Sequence, residues 1–194
     1  MNERCEQVQT LLTKKGVRSC IFKGQENLPF YSSELSSLPQ SGDIDIWIEG
    51  GKERVIELVQ KLAPTKEMRE THAHLDVFED AWGEAHYRPG LLRNFVTNAR
   101  LQRFFAEMSE ECFTHKERIP NEDGKHEIVT TAWTFNAVHQ LTHIFHHFFT
   151  EGVGLRRCMD YYMLLQTAGG ESDKNVEIVK KEVTSLNMTC FARR

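Results

Sequence analysis

Asp43 and Asp45 stand one residue apart in SGDIDIW, residues 41–47, with Ile44, Ile46 and Trp47 around them. Alternation of acidic and apolar residues reads as a strand, on which positions i and i+2 point to the same face. The two carboxylates therefore project together, and the isoleucines project the other way. Like charges side by side repel, and desolvating them costs on the order of several kcal/mol unless a cation compensates. A divalent ion does this directly: Mg²⁺ takes oxygen ligands, commonly one or two carboxylates plus substrate phosphates. Two such ions, about 3.5–4 Å apart, can clamp an in-line phosphoryl displacement. An edge strand with both charges in water is the plain alternative, and D-x-D alone does not decide between them. A third carboxylate would complete the cluster. Glu84 in GEAH and Asp76 in HLD both lie on plausible strands, and spacing leaves both open.

Upstream, the β-rich run VRSCIF ends at Lys23-Gly24, where a glycine allows close approach of the backbone to a phosphate. Downstream, His139, His143, His146 and His147 recur at i, i+4, i+7 and i+8 along one helical stripe. Two H-x-x-x-H pairs could ligate zinc, yet no H-E-x-x-H occurs and no cysteine lies at ligand spacing. The stripe reads as a packed or cleft-lining polar face, with partners such as Asp160 or Arg156. Phe145, Phe148 and Phe149 read as core, and the arginines of RPGLLRNFVTNARLQR as a solvated helix face.

The elements that must position these groups change character along the chain. Residues 3–15 are helical up to Gly16, VRSCIF is a strand, and 25–41 is a polar loop with room for a short helix. DIDIWIE is a strand closed by Gly50-Gly51, KERVIELVQKLA is an amphipathic helix, and HAHLDVFE and GEAHYRP are two strands. After that come a helix over 91–108, a hairpin around Asp123-Gly124, a strong helix over 131–149 broken by GVG, and LRRCMDYYMLLQTA. A last helix from Ser172 runs toward FARR without a stop signal, so the chain reads as ending inside a helical region. The pattern is α+β, with a mixed sheet flanked by helices in residues 1–100 and a mainly helical region with one hairpin in 101–194.

The formal charge of −4 gives no general attraction to nucleic acid or anionic lipid, so polyphosphate binding needs a local site or a metal. No apolar run approaches the roughly 18 residues of a membrane span. The polar opening MNERCEQVQT is not a secretory signal. Five scattered cysteines without C-x-x-C spacing argue for reduced thiols and a cytoplasmic protein.

Taken in order, FKG (22–24), GDIDIW (42–47), EAHYRP (84–89), HIFHHFF (143–149) and GVGLRRCMD (152–160) resemble one family. It is the uncharacterised nucleotidyltransferase branch of the polymerase-β-like superfamily, in which strand-Lys-Gly replaces the usual Gly-Ser signature. The resemblance spans most of residues 15–165. It implies a nucleotidyltransferase-type sheet and Mg²⁺- or Mn²⁺-dependent transfer of a nucleoside monophosphate from an NTP. The acceptor would be a small molecule, an RNA or a protein. Asp43 and Asp45 match the family's metal-binding pair. Glu84 matches the third carboxylate, which ligates a second metal or takes the acceptor proton, and the resemblance favours it over Asp76. Lys23, Gly24 and Gly42 match the phosphate-side positions. Two departures stand out: the arginine common before Gly-Asp-Ile-Asp is missing from LPQSGD, and the spacer from Gly24 to Asp43 is long. The missing arginine keeps open a non-catalytic nucleotide-binding or interaction module of toxin–antitoxin type. A metallohydrolase using the helical histidines and Asp160 is the remaining rival.

Overall fold

The computed structural model describes residues 1–31, 43–121 and 124–192. The chain forms two compact units, one of Met1–Pro89 with Glu111–Thr131, the other of Gly90–Glu110 with Ala132–Arg194. In the first unit the elements are α1 (Asn2–Lys14), β1 (Ser19–Ile21), a 3-10 turn (Gly24–Phe30), β2 (Asp43–Ile48), α2 (Gly51–Leu62), β3 (His72–His74), β4 (Trp82–His86) and the hairpin strands β5 (Lys116–Asn121) and β6 (Gly124–Val129). The first four strands make one sheet in the order β1-β2-β4-β3. Its two central strands, β2 and β4, are parallel, while β1 and β3 flank them antiparallel. The fold is the mixed α+β type expected from the pattern.

Strand alternation gives this sheet one apolar and one polar face. Ile21, Ile44, Ile46, Ile48, Ala73 and Ala85 share the first, packed with Cys5, Val8 and Leu12 of α1 and Val55 and Val59 of α2. Full burial of each isoleucine stabilises the sheet by about 1.5–3 kcal/mol, which fixes the register. A slip of one residue would put the isoleucines where the aspartates are. Gly50 and Gly51, with φ of 119° and 77°, make the turn from β2 into α2, a conformation that suits glycine.

β3 is shorter than the run HAHLDVFE suggested. Leu75 N–H still donates to the Gly83 carbonyl, but Val77 N–H closes a tight turn on the Leu75 carbonyl, so the chain leaves the sheet after Leu75 and Asp76 lies off the strand. The hairpin, expected with the helical half, groups with the sheet. The Gln9 side chain both accepts from Val129 N–H (3.0 Å) and donates to its carbonyl (2.7 Å), and Ile119 and Ile128 join the same buried cluster. The two units thus interleave along the chain, and a single cut at residue 100 does not describe them.

The second unit contains α3 (Phe95–Cys112) up to Glu110, α4 (Trp133–Phe148), α5 (Leu155–Gln166), a second 3-10 turn (Thr167–Gly170), α6 (Asp173–Ser185) and α7 (Thr189–Ala192). Asn94 caps α3, its side chain accepting from the N–H groups of Val96 and Thr97, and Ser172 caps α6 in the same way. Phe105 and Phe135 pack with ring centroids 5.1 Å apart. The last helix is not continuous. Asn187 takes φ 58° and Met188 N–H closes back on the Val183 carbonyl, a C-terminal cap that separates α6 from α7. No helix among the described residues is long and apolar enough to cross a membrane.

Candidate active site

The polar face of the sheet carries a cluster of charged groups. Asp45 and Glu84 are directly opposite across the parallel β2–β4 pair, and Asp43 lies opposite Trp82. Two-residue alternation puts Asp43, Asp45, Trp82, Glu84 and His86 on this one face. His86 Nε2 lies between the carboxylates, 2.8 Å from Asp45 Oδ1 and 3.2 Å from Glu84 Oε2. Lys23 Nζ reaches the same Asp45 oxygen at 2.5 Å. Phe22 N–H donates to the Asp45 carbonyl, so the backbone just before Lys23 is fixed to β2.

Electrostatics decide which of these groups carry charge. Burial, the largest single influence on Asp45, would raise its carboxyl, but Lys23 and His86 together outweigh it and hold the group well below the usual carboxylate range. For Glu84, burial again acts first and upward, and the hydrogen bond from His86 with the nearby Lys23 and His72 brings the net shift down. Two carboxylates thus stand side by side, with the Lys23 ammonium on Asp45 and the His86 ring nitrogen between the two.

Lys23 is held in place by its backbone as well. Its φ of 61° and ψ of −159° lie in a region that is almost exclusively glycine's, at a cost of about 1–3 kcal/mol for a side-chain-bearing residue. The Glu26 carboxyl compensates: Oε1 accepts from Lys23 N–H at 2.6 Å, and Oε2 accepts from the Thr131 hydroxyl. Complete burial pushes the Glu26 carboxyl up to about 8, against the hydrogen bonds that pull it down. Gly24 follows as the first residue of the 3-10 turn.

On the β3 side, His72 and His74 pair across from His86 and Glu84. His72 Nε2 is 3.5 Å from Glu84 Oε1, the oxygen that His86 does not use. Burial, with His86 nearby, lowers His72 to about 4. Among the described residues, two groups of three side chains bring ligand atoms within 4.8 Å of one another. They are Asp45 with Glu84 and His86, and His72 with His74 and Glu84.

Of the residues singled out from sequence, Lys23, Asp45 and Glu84 come together in direct contacts or adjacent register, and Asp43 shares their face. Asp76 is exposed in the loop after β3 and belongs to neither ligand group. Gly42 lies outside the described residues. The α4 histidines contact one another along their helix, His139 stacked on His143 at 5.7 Å and His143 edge-on to His147 at 4.3 Å. Neither they nor Asp160 enters a ligand group among the described residues. Sequence reading passed over His72, His74 and His86 as site residues, and Glu26 altogether. The signal was there for the histidines: H-x-H at 72–74 and E-x-H at 84–86 have the strand's two-residue period. Glu26 gave none, since its role comes from burial against Thr131.

The chain is a member of the family described as uncharacterised nucleotidyltransferase, whose model matches residues 1–194. A solved structure, an antigenic nucleotidyltransferase-like protein from Paracoccidioides brasiliensis, is similar at 8% identity and TM-score 0.49, over 96% of this chain and 91% of that one. No curated protein matches it.

Proposed function

We propose that this protein transfers a nucleoside monophosphate from an NTP to an acceptor hydroxyl or phosphate, with Mg²⁺ or Mn²⁺ as its metal. The observation that carries the reading is the parallel register that makes Asp45 and Glu84 direct neighbours. Asp43, Asp45 and Glu84 offer only oxygen, the ligand type that Mg²⁺ prefers, and are the residues that would hold it. Bound there, the metal would neutralise triphosphate charge and favour in-line displacement at the α-phosphate. Glu84 suits a ligand better than a base, because its carboxyl is shifted down and a general base works best near the operating pH. Lys23, now on Asp45, supplies its positive charge to a phosphate oxygen. Trp82, exposed beside Asp43, gives a nucleobase a ring to stack on. Gly24 and Gly42 belong to the phosphate side of the same reading. Five cysteines outside any disulfide suit the reducing, NTP-supplied cytoplasm.

Transfer joins the acceptor oxygen to the α-phosphorus and releases pyrophosphate. An NTP labelled at the α-phosphate, incubated with acceptor fractions and Mg²⁺, should leave its label on an acceptor, and Glu84→Gln should abolish this. Wild-type protein that releases only inorganic phosphate from the γ-position would contradict the assignment.

A further inference from the structure

His86 uses one oxygen of Glu84; the other lies 3.5 Å from His72 Nε2, and His74 also has a ligand atom within 4.8 Å of a Glu84 oxygen. We propose that His72, His74 and Glu84 Oε1 form a separate site for a first-row transition-metal ion, best suited to Zn²⁺, adjoining the carboxylate cluster through the shared Glu84. Two imidazoles and one carboxylate are a donor set for zinc and similar ions, whereas Mg²⁺ favours oxygen alone. The ligand atoms lie within 4.8 Å of one another, and His72 Nε2 and Glu84 Oε1 are 3.5 Å apart. Ligands at zinc bond lengths of about 2.0–2.2 Å around one ion are separated by roughly 3.3 Å when tetrahedral, so this pair needs almost no movement.

The outer contacts of both rings strengthen the case. Metal-bound histidines commonly donate their second ring nitrogen to an oxygen, which sets the tautomer and the ring's orientation. His72 Nδ1 lies 3.2 Å from the Thr71 hydroxyl. His74 Nδ1 lies 3.4 Å from Glu67 Oε2, and the His74 N–H donates to the Glu67 carbonyl, which keeps that residue beside the ring. Each imidazole therefore has Nδ1 directed at an oxygen and Nε2 left for an ion. Both histidines stand on one short strand at i and i+2, so the backbone of β3 aims them together. With three protein ligands, the ion keeps a coordination position open.

The site depends on these side chains and not on nucleotidyl transfer, so the two readings can fail separately. Full-length protein stripped with chelator and titrated with ZnCl₂ alone, without NTP, should bind one ion per chain calorimetrically. Co²⁺ should give visible bands of a nitrogen–oxygen environment. His74→Ala should weaken zinc binding at least tenfold, and Glu67→Gln, a change at an exposed residue outside the cluster, about tenfold. His74→Ala should still bind Mg²⁺ with a non-hydrolysable NTP analogue. Wild-type protein that takes up no zinc, or zinc affinity unchanged in both variants, would overturn the site. If NTP binding is intact in that case, the transfer reading survives.

Discussion

Lys23 shows at one residue how the fold supports the chemistry. A lysine in a conformation natural to glycine, clamped by Glu26 and directed at Asp45, is costly to keep. Substituting it separates the two effects. Lys23→Ala and Lys23→Gly both remove the ammonium, but only glycine relaxes the backbone. The strain relieved, about 1–3 kcal/mol, exceeds glycine's greater loss of freedom on folding, about 0.5–1 kcal/mol. Urea denaturation should therefore find Lys23→Gly more stable than Lys23→Ala by roughly 1 kcal/mol. Equal stabilities would mean the turn is unstrained. A second contrast separates the carboxylates. Glu84→Gln should remove label transfer while the fold persists, whereas Asp76→Asn, a change at an exposed loop residue, should leave most of it. The reverse ranking would move the third carboxylate to Asp76.

At the scale of elements, the tie between the 3-10 turn and the end of the hairpin is a buried acid, and pH should reveal it. The Glu26 carboxyl is raised by burial to about 8 from an ordinary 4.5. A raised group contributes stability that is complete below the unfolded value and is lost as pH rises through the folded one. Glu26→Gln, which cannot ionise, should therefore gain on wild type steadily from about pH 4.5 to about pH 8 and then level off. Denaturation at several pH values checks this, and a constant difference would show that Glu26 does not titrate in that window. Packing of the β3 loop on β4 gives another test. A Cβ on Gly83 would come within 2.5 Å of the Leu75 backbone carbonyl, so Gly83→Ala must displace that carbonyl, at about 1–3 kcal/mol by thermal or urea unfolding. Wild-type stability in that variant would show the contact to be looser.

Much of this element level was readable in the chain. The strict alternation of DIDIWI fixed both the strand and its two faces, and Gly50-Gly51 marked its end. The length of β3 was not readable, because Leu75 and Val77 continue an apolar pattern while the Val77 N–H closes a tight turn on the Leu75 carbonyl. Nor was the placement of the hairpin, which rests on Gln9 and Val129, 120 residues apart. The break at Asn187 carried a signal that helical periodicity hid, since asparagine tolerates the left-handed conformation. The three strand histidines were less legible because the α4 stripe, with four histidines close in sequence, carries the more familiar ligand spacing, while short strands carry the same logic only at period two.

At the scale of the whole molecule, the proposed transfer requires Asp43, Asp45 and Glu84 to hold jointly a divalent cation that a nucleoside triphosphate helps to ligate. Mg²⁺ alone binds such a carboxylate set weakly, because it keeps several waters and relies on substrate phosphates. Calorimetric titration with a non-hydrolysable NTP analogue, with and without Mg²⁺, tests this in wild type, Asp43→Asn and Glu84→Gln. The account predicts one analogue bound per wild-type chain, at least tenfold tighter with Mg²⁺ than without, and loss of that metal-dependent gain in both variants. Binding that is indifferent to Mg²⁺, or a gain that survives both substitutions, would contradict it.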